Sequence, residues 1–539
     1  MEEFTLSEHL LFFYGENCFY KDMLRFFSSK TRLAFTPQML SCLKEGISLN
    51  RLLQDSLVGL LVAIISLPLS MAFAIGAGLE PAIGLYTSII AGFIVALMGG
   101  SRFQIAGPTG AFVVVVFDIV QRQGYEALVL AVLLAGCLLV VMGILRLGSF
   151  LKYIPYPVIT GMTSGIAVVL FTSQFKDFLG LETGSVGVAF LARWQSYYTH
   201  ISTWNPYALM IGLSSLIIIV LIRRKSPKIP GAIFAIILAC FVVHYWSLPV
   251  ETVHSRFGEI PSSLPWPSWP VITLERIKNL MPDVITLTVL AAIESLLSAV
   301  VVDSMSGAKH RSDMELVAQG FGNMGSAFFG GLPVTGAIAR TAINYKLGAK
   351  TPISAAVHAV ALFLILTFLG PLAGCMPLSA LAAVVILTAF FMFEAKHFFA
   401  LIGSSLSDAV LLLTTFALTV FIDITVAVEI GVLLAALMFT KKMADVVKVE
   451  AKMRGSHAEV SIIGPLFFAA TGKLDADLAN HPECKSVTIK LEAVSVIDTT
   501  GIQSLKKFTA HCKKRGQEVH ITGANPFVLK LLDNVGKIV

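Results

Sequence analysis

Two stretches that echo each other constrain this chain more than anything else in it. One reads Gly99-Gly100, then Pro108-Thr109-Gly110-Ala111-Phe112. The other reads Gly330-Gly331, then Pro333-Val334-Thr335-Gly336-Ala337-Ile338. Each has a glycine pair, a proline, and Thr-Gly-Ala opening a helical pattern too short to cross a bilayer. Thr335 to Lys346 gives a helix of about 18 Å, against a hydrocarbon core of about 30 Å. Paired short segments broken by Gly and Pro, one in each half of an apolar chain, point to the binding site of a membrane carrier.

The composition makes lipid the solvent for most of the chain. Hydrophobic residues are 56% and charged residues only 14%, where soluble domains carry about 25% charge. The backbone must then satisfy itself in helices. The net charge of +6 is no nucleic-acid signal, because the basic residues sit in short loops between apolar spans. The seven cysteines show no CxxC and no metal spacing, so they read as reduced packing residues, with no metal or cofactor expected. Glu2 and Glu3 precede no apolar h-region, so no cleaved signal peptide is expected. Residues 1–50 interleave aromatic and basic side chains. They read as an N-terminal cytoplasmic segment, either an interfacial helix or a tail packed on another domain.

Apolar spans begin at Asp55. Seven lie at about 55–77, 82–98, 108–121, 125–145, 154–174, 206–222 and 231–247. Seven more lie at about 283–302, 315–329, 335–346, 353–373, 377–393, 406–422 and 424–440. An even number puts both ends on one side. With the N-terminus inside, the inner loops hold twelve Lys/Arg, Lys152 and Lys228 among them, and the outer loops six. That bias predicts cytoplasmic termini in an inner membrane.

The spans repeat. Ala63-Ile64-Ile65-Ser66 returns as Ala292-Ile293-Glu294-Ser295. The serines are 229 residues apart and the threonines Thr109 and Thr335 are 226 apart, which argues for a duplication. Seven spans separate the copies, so the second lies upside down: a polytopic α-helical membrane protein built as a 7+7 inverted repeat. The helices opening at Thr109 and Thr335 should then start near the midplane with facing N-termini. Each start carries unpaired N–H groups and about half a positive charge, which together favour an anion. Gly110 and Gly336 let a ligand approach the backbone, Thr109 and Thr335 can cap or donate, and Pro68 should break the first span.

Past Lys442 the pattern turns soluble. Val460–Ile463, Val487–Leu491 and Glu518–Thr522 read as strands, and Thr500–Arg515 and Pro526–Leu532 as helices. The expected domains are 1–50, a transmembrane anion transport domain at 51–442 and a small α/β domain at 443–539.

These residues together resemble the SulP (sulfate permease) family of anion transporters with a C-terminal STAS domain. The carrying stretches are Leu67–Ala74, Gly84-Leu85-Tyr86-Thr87, Gly107–Ala111, Glu294–Ser298, Gln319–Asn323, Ala339-Arg340-Thr341 and Val496–Ile502. The likeness is strongest to bacterial members that carry four-carbon dicarboxylates. The resemblance implies a core of spans 1–4 and 8–11, a gate of spans 5–7 and 12–14, and a homodimer. It implies a substrate site between the half-helices, for sulfate, bicarbonate, chloride, oxalate or a dicarboxylate. Where sodium-coupled members carry Asp and a hydroxyl, this chain has Glu294 and Ile338, which favours proton coupling. Many members have a glutamine at the position of Leu69, so that polar contact is missing here.

The candidate substrate-binding residues are Ser70, Thr109, Gly110, Ala111, Gly336, Ala337 and Arg340. Arg340 lies within two turns of its helix start, where a guanidinium can counter an anion. Glu294 is alone among uncharged neighbours in Val284–Val302, where a carboxylate is costly unless paired or protonated. Glu294 and Ser298, one turn apart, are the candidate proton-coupling pair. Thr500 matches a serine phosphorylated in related anti-sigma-factor antagonists, which implies a regulatory site; a plain helix cap is the competing reading. The expected partners are a small anion, protons, the lipid bilayer, a second copy and a cytoplasmic protein on the STAS domain. An uncoupled exchanger or channel of the same fold remains the alternative function. No nucleophile–base pair or phosphate loop suggests an enzyme.

Overall fold

The computed structural model describes residues 34–148, 155–183, 189–225, 231–422, 424–472 and 485–534. The aromatic and basic run of residues 1–33, with Lys152 and Lys228, lies outside them. The chain divides into two compact units, Met1–Glu429 and Ile430–Val539.

Among the described residues, fourteen helices follow the expected spans in order. They are α1 (Leu49–Gly76), α2 (Pro81–Met98), α3 (Gly110–Gln123), α4 (Tyr125–Ile144), α5 (Tyr156–Ser173), α6 (Pro206–Lys225) and α7 (Gly231–Tyr245). The second set is α8 (Leu274–Ser306), α9 (Ser312–Phe328), α10 (Ile338–Lys346), α11 (Ile353–Gly374), α12 (Leu378–Met392), α13 (Leu406–Phe421) and α14 (Ile424–Val446). Eight helical stretches are long and apolar enough to span a membrane. Local chemistry sets several starts. Ser48 accepts from the Arg51 N–H at the head of α1, Thr273 accepts from the Arg276 N–H at the head of α8, and Pro81 occupies the first turn of α2.

The packing carries the inverted repeat. α4 lies against α8 and α9, as α11 lies against α1 and α2. Likewise α5 packs on α13, as α12 packs on α6. Exchanging the halves maps each group onto its counterpart. With no water to expel, small residues bring these helices together. A Cβ on Gly136 would lie 2.7 Å from the Gly320 carbonyl, and a Cβ on Gly320 would lie 2.7 Å from the Gly136 carbonyl. Here α4 and α9 touch backbone to backbone.

Two local expectations are corrected. α1 is not broken at Pro68: the helix runs on to Gly76 around it, withholding a single N–H rather than ending. The second half-helix starts at Ile338, and Thr335 and Gly336 are extended.

Among the described residues the second unit has four strands in the order β3 (Lys448–Arg454), β4 (His457–Ile463), β5 (Ser486–Ala493) and β6 (Glu518–Thr522). The β3–β4 pair is antiparallel and the other pairs are parallel. α15 (Thr499–Lys514) lays Ile502, Leu505, Phe508 and Cys512 into one apolar core with β4 and β5. β4 alternates buried and half-buried residues, as a sheet with one covered face requires.

Candidate transport site

The two echoed stretches meet. β1 (Ala106–Gly107) and β2 (Thr335–Gly336) pair antiparallel, Ala106 opposite Gly336 and Gly107 opposite Thr335. The Ala337 N–H donates to the Ile105 carbonyl at 2.9 Å. Because the strands run past each other, α3 leaves from one end of this short ribbon and α10 from the other. Neither the Gly110 and Ala111 N–H groups of α3 nor those of Ile338, Ala339 and Arg340 in α10 find an acceptor among the described residues. These are the orphan donors every helix start leaves.

Buried polar side chains hold the ribbon in place. Asn323 clasps Val334 from both sides, accepting its N–H at 2.8 Å and donating to its carbonyl at 2.9 Å. Ser326 donates to the Leu332 carbonyl, and Thr87 accepts the Leu332 N–H. Thr341 accepts from the Ile105 N–H and Asn344 donates to the Phe103 carbonyl, so α10 grips the strand entering from the other half. Glu315, fully buried, accepts from the Gly100 and Ser101 N–H groups and from Gln319. That arrangement satisfies a carboxylate which would otherwise be prohibitive in a membrane.

The candidate residues fall into three sets. At the start of α3, Thr109 Oγ1 donates to Glu294 Oε2 at 2.9 Å instead of capping its own helix. Glu294 is 8% exposed. Gly110 and Ala111 follow; a Cβ on Gly110 would come 2.8 Å from Leu170 Cδ2 of α5.

At the ribbon, Thr335 Oγ1 donates to the Ala291 carbonyl at 3.1 Å, and Ser295 Oγ, 2.6 Å away, donates to Thr335 in turn. Ser295 also accepts the Gly336 N–H at 3.1 Å. So Gly336 and Ala337 spend their N–H groups inside the protein. The space a Gly336 side chain would need is filled by Gln104, whose Nε2 lies 1.6 Å from the Cβ position. Gln104, rather than open space, therefore faces the Cβ position of Gly336. Ser70 is fully buried against Ser88, their hydroxyls 2.7 Å apart. Ser298, also buried, has a hydroxyl with no hydrogen-bond partner among the described residues.

The third set lies behind β1. Arg340 is 2% exposed, and its Nη2 donates to the Pro108 carbonyl at 2.7 Å. Its Nη1, beside the bare face of Gly107, has no hydrogen-bond partner among the described residues. Two side chains that the sequence reading passed over share this region. Ser88 Oγ would touch the same Gly107 Cβ position at 3.1 Å. His358 of α11 is 1% exposed, its two ring nitrogens have no hydrogen-bond partner among the described residues, and the Cβ position of Gly92 lies 3.3 Å from the Ala106 carbonyl of β1 and 4.0 Å from His358 Nδ1. The signal for His358 was in the chain: it is alone among apolar neighbours in its span.

Elsewhere, Asp118 pairs with Arg122 at the far end of α3, and Arg122 reaches Asp283 of α8 at 2.8 Å. In the second unit Thr500 is exposed in the first turn of α15. The cap there is Asp498, which accepts the Gly501 N–H at 2.7 Å, so the plain-cap reading of Thr500 does not hold.

A duplicated, inverted set of helices with two half-helices crossing at an extended ribbon defines a membrane carrier. The chain belongs to the sulfate permease family, whose profile matches residues 52–415, and the STAS domain profile matches residues 448–538. "Putative sulfate transporter YvdB" of Bacillus subtilis (strain 168) is 37% identical over 91% of this chain and 95% of its own length. "Bicarbonate transporter BicA" of Synechocystis sp. (strain ATCC 27184 / PCC 6803 / Kazusa) is 28% identical over 87% of this chain and 88% of its own. Among solved structures, the murine Slc26a9 anion transporter in its inward-facing state superposes with a TM-score of 0.85 at 17% identity, covering 94% of this chain and 91% of that one. The transmembrane domain of a cyanobacterial BicA covers 72% of this chain and 98% of its own, at a TM-score of 0.63 and 29% identity. The relatives are named as transporters, and this chain is an anion transporter of that family rather than an enzyme.

Proposed function

We propose that the chain carries a small oxyanion across the inner membrane by alternating access, with a proton moving alongside it. The single observation that carries this reading is the ribbon crossing, where two helix starts whose first N–H groups find no acceptor among the described residues adjoin a buried arginine with no ion-pair partner among them. Fixed dipoles and one guanidinium suit an anion in a place where lipid excludes water. Glu294, held at the start of α3, is the proton carrier in this reading. While ionised it occupies the positive end of the helix and repels the substrate; protonation removes that repulsion. Thr109, Gly110, Ala111 and Arg340 contact or attract the anion, while Ser70, Gly336 and Ala337 shape the ribbon that presents them.

Sulfate and bicarbonate head the substrate list because relatives are named for them. Four-carbon dicarboxylates enter from sequence likeness alone and are tested beside them. Around this site we place a transport domain at 51–442, a STAS domain at 443–539, cytoplasmic termini and a homodimer. Thr500, accessible on the STAS domain, is the proposed regulatory position, with a cytoplasmic protein as its reader.

The test is uptake into proteoliposomes of purified protein, offered sulfate, bicarbonate and a dicarboxylate, with and without an imposed pH gradient. Concentrative uptake driven by an inward proton gradient supports the reading. Uptake that ignores the gradient would put the exchanger or channel ahead.

A further inference from the structure

A groove of about 510 Å³ runs between α5, α6 and α12, in the part of the fold separate from the ribbon. Val168 and Phe171 of α5, Val220 of α6, and Phe390 and Phe393 beyond it make apolar walls. Arg224 is the charged residue in the lining. It belongs to Arg223-Arg224-Lys225, the last residues of α6. The Arg223 guanidinium carbon stands 3.5 Å from the ring centroid of Phe391. Neither arginine has an ion-pair partner among the described residues. The outer face of α6 is apolar and open, with Met210, Ile217 and Leu221 each more than half exposed.

We propose that this groove binds an anionic phospholipid of the surrounding membrane. An acyl chain lies along Val168, Phe171, Val220 and Phe390, and the headgroup phosphate sits on Arg224 with Arg223 beside it. A hydrocarbon trough ending at an unpaired guanidinium matches a molecule with an aliphatic tail and an anionic head. Guanidinium meets phosphate through two parallel hydrogen bonds. Basic clusters where a helix leaves the hydrocarbon layer attract anionic headgroups. A zwitterionic lipid offers the same tail but no net charge for the arginine. The bound lipid would fasten three helices of the gate half to one another.

The experiment uses the full chain, purified in mild detergent and stripped of lipid, with phosphatidylglycerol or phosphatidylcholine of identical acyl chains added back. Bound lipid is counted by native mass spectrometry. Wild type is expected to retain phosphatidylglycerol preferentially. Arg224→Gln should lower that preference about fivefold, the effect of one basic residue near an anionic headgroup. Val220→Trp fills the trough and should lower retention of both lipids with the arginines intact; Ala167→Leu serves if the tryptophan variant is not monodisperse. Equal retention of the two lipids by wild type overturns the proposal, as does an unchanged preference in Arg224→Gln. Retention of oleate in place of phosphatidylglycerol, or loss of a higher oligomer in Val220→Trp without loss of lipid, would assign the groove to a fatty acid or to a second copy and also overturn it.

Discussion

Thr109 Oγ1 and Glu294 Oε2 stand 2.9 Å apart, joining the first residue ahead of one half-helix to the acid in the opposite half of the repeat. This hydrogen bond ties charge to site. An ionised carboxylate at a helix start sits where the helix dipole favours negative charge, and there it competes with a substrate anion. It also engages the hydroxyl nearest that helix start. A proton on Glu294 removes the competing charge and loosens the hydroxyl at once. Proton and anion should then bind cooperatively, each helping the other by the same factor.

Uptake should therefore rise as external pH falls. Glu294→Gln mimics the protonated acid, so it should still bind and exchange substrate in counterflow yet lose accumulation driven by a pH gradient. Accumulation that persists in this variant would place the coupling proton elsewhere.

Arg340 places a buried guanidinium behind the ribbon, and its Nη1 has no hydrogen-bond partner among the described residues. Arg340→Ala should weaken anion binding by about 1–3 kcal/mol, the range for a charge-assisted hydrogen bond. A dianion should suffer more than a monoanion, which isothermal titration with sulfate and bicarbonate would resolve. Unchanged affinity for both would make the arginine a structural tie to Pro108.

Gly336 separates two explanations of one glycine. If its role is to make room for Gln104, Gly336→Ala should cost about 1–3 kcal/mol of stability through overpacking. Gln104→Ala in the same chain should restore most of that loss. Thermal unfolding of the single and double variants in detergent reads the outcome. Failure of the second substitution to rescue would return Gly336 to a ligand-contacting role.

Glu315 answers to stability rather than transport. Glu315→Ala strips the acceptor from the Gly100 and Ser101 N–H groups, which should cost about 2–6 kcal/mol, a penalty of about 1–3 for each unpaired donor. The variant should melt earlier, while the fraction that remains folded binds substrate with wild-type affinity. A selective loss of affinity at unchanged melting temperature would count against this assignment.

The spans, the duplication and the two half-helices were legible because hydrophobic periodicity and Gly-Pro punctuation are local signals. The side-chain network around the ribbon was not. The sequence singles out Ser298, one turn from Glu294, yet Ser295 holds Thr335 and Gly336 while Ser298 has no hydrogen-bond partner among the described residues; which face of α8 meets β2 depends on packing. Thr109 and Thr335 read as residues that can cap or donate, and the partners they donate to, Glu294 and the Ala291 carbonyl, lie far away in sequence. His358 stood out among its apolar neighbours, but nothing in the chain tied it to the ribbon. β3 was missed because its residues, Lys448–Arg454, alternate charge with short apolar side chains at an edge, where burial leaves little trace in sequence.

The most direct test of the central claim is anion binding at the ribbon itself. Purified protein in proteoliposomes on a solid-supported membrane would be challenged with sulfate, bicarbonate and a four-carbon dicarboxylate, in wild type and in Arg340→Ala. A saturable, substrate-evoked signal in wild type for at least one of these anions, weakened in Arg340→Ala and most strongly for a dianion, is the predicted result. A wild-type signal that survives Arg340→Ala unchanged, or the absence of any saturable response to all three, would contradict it.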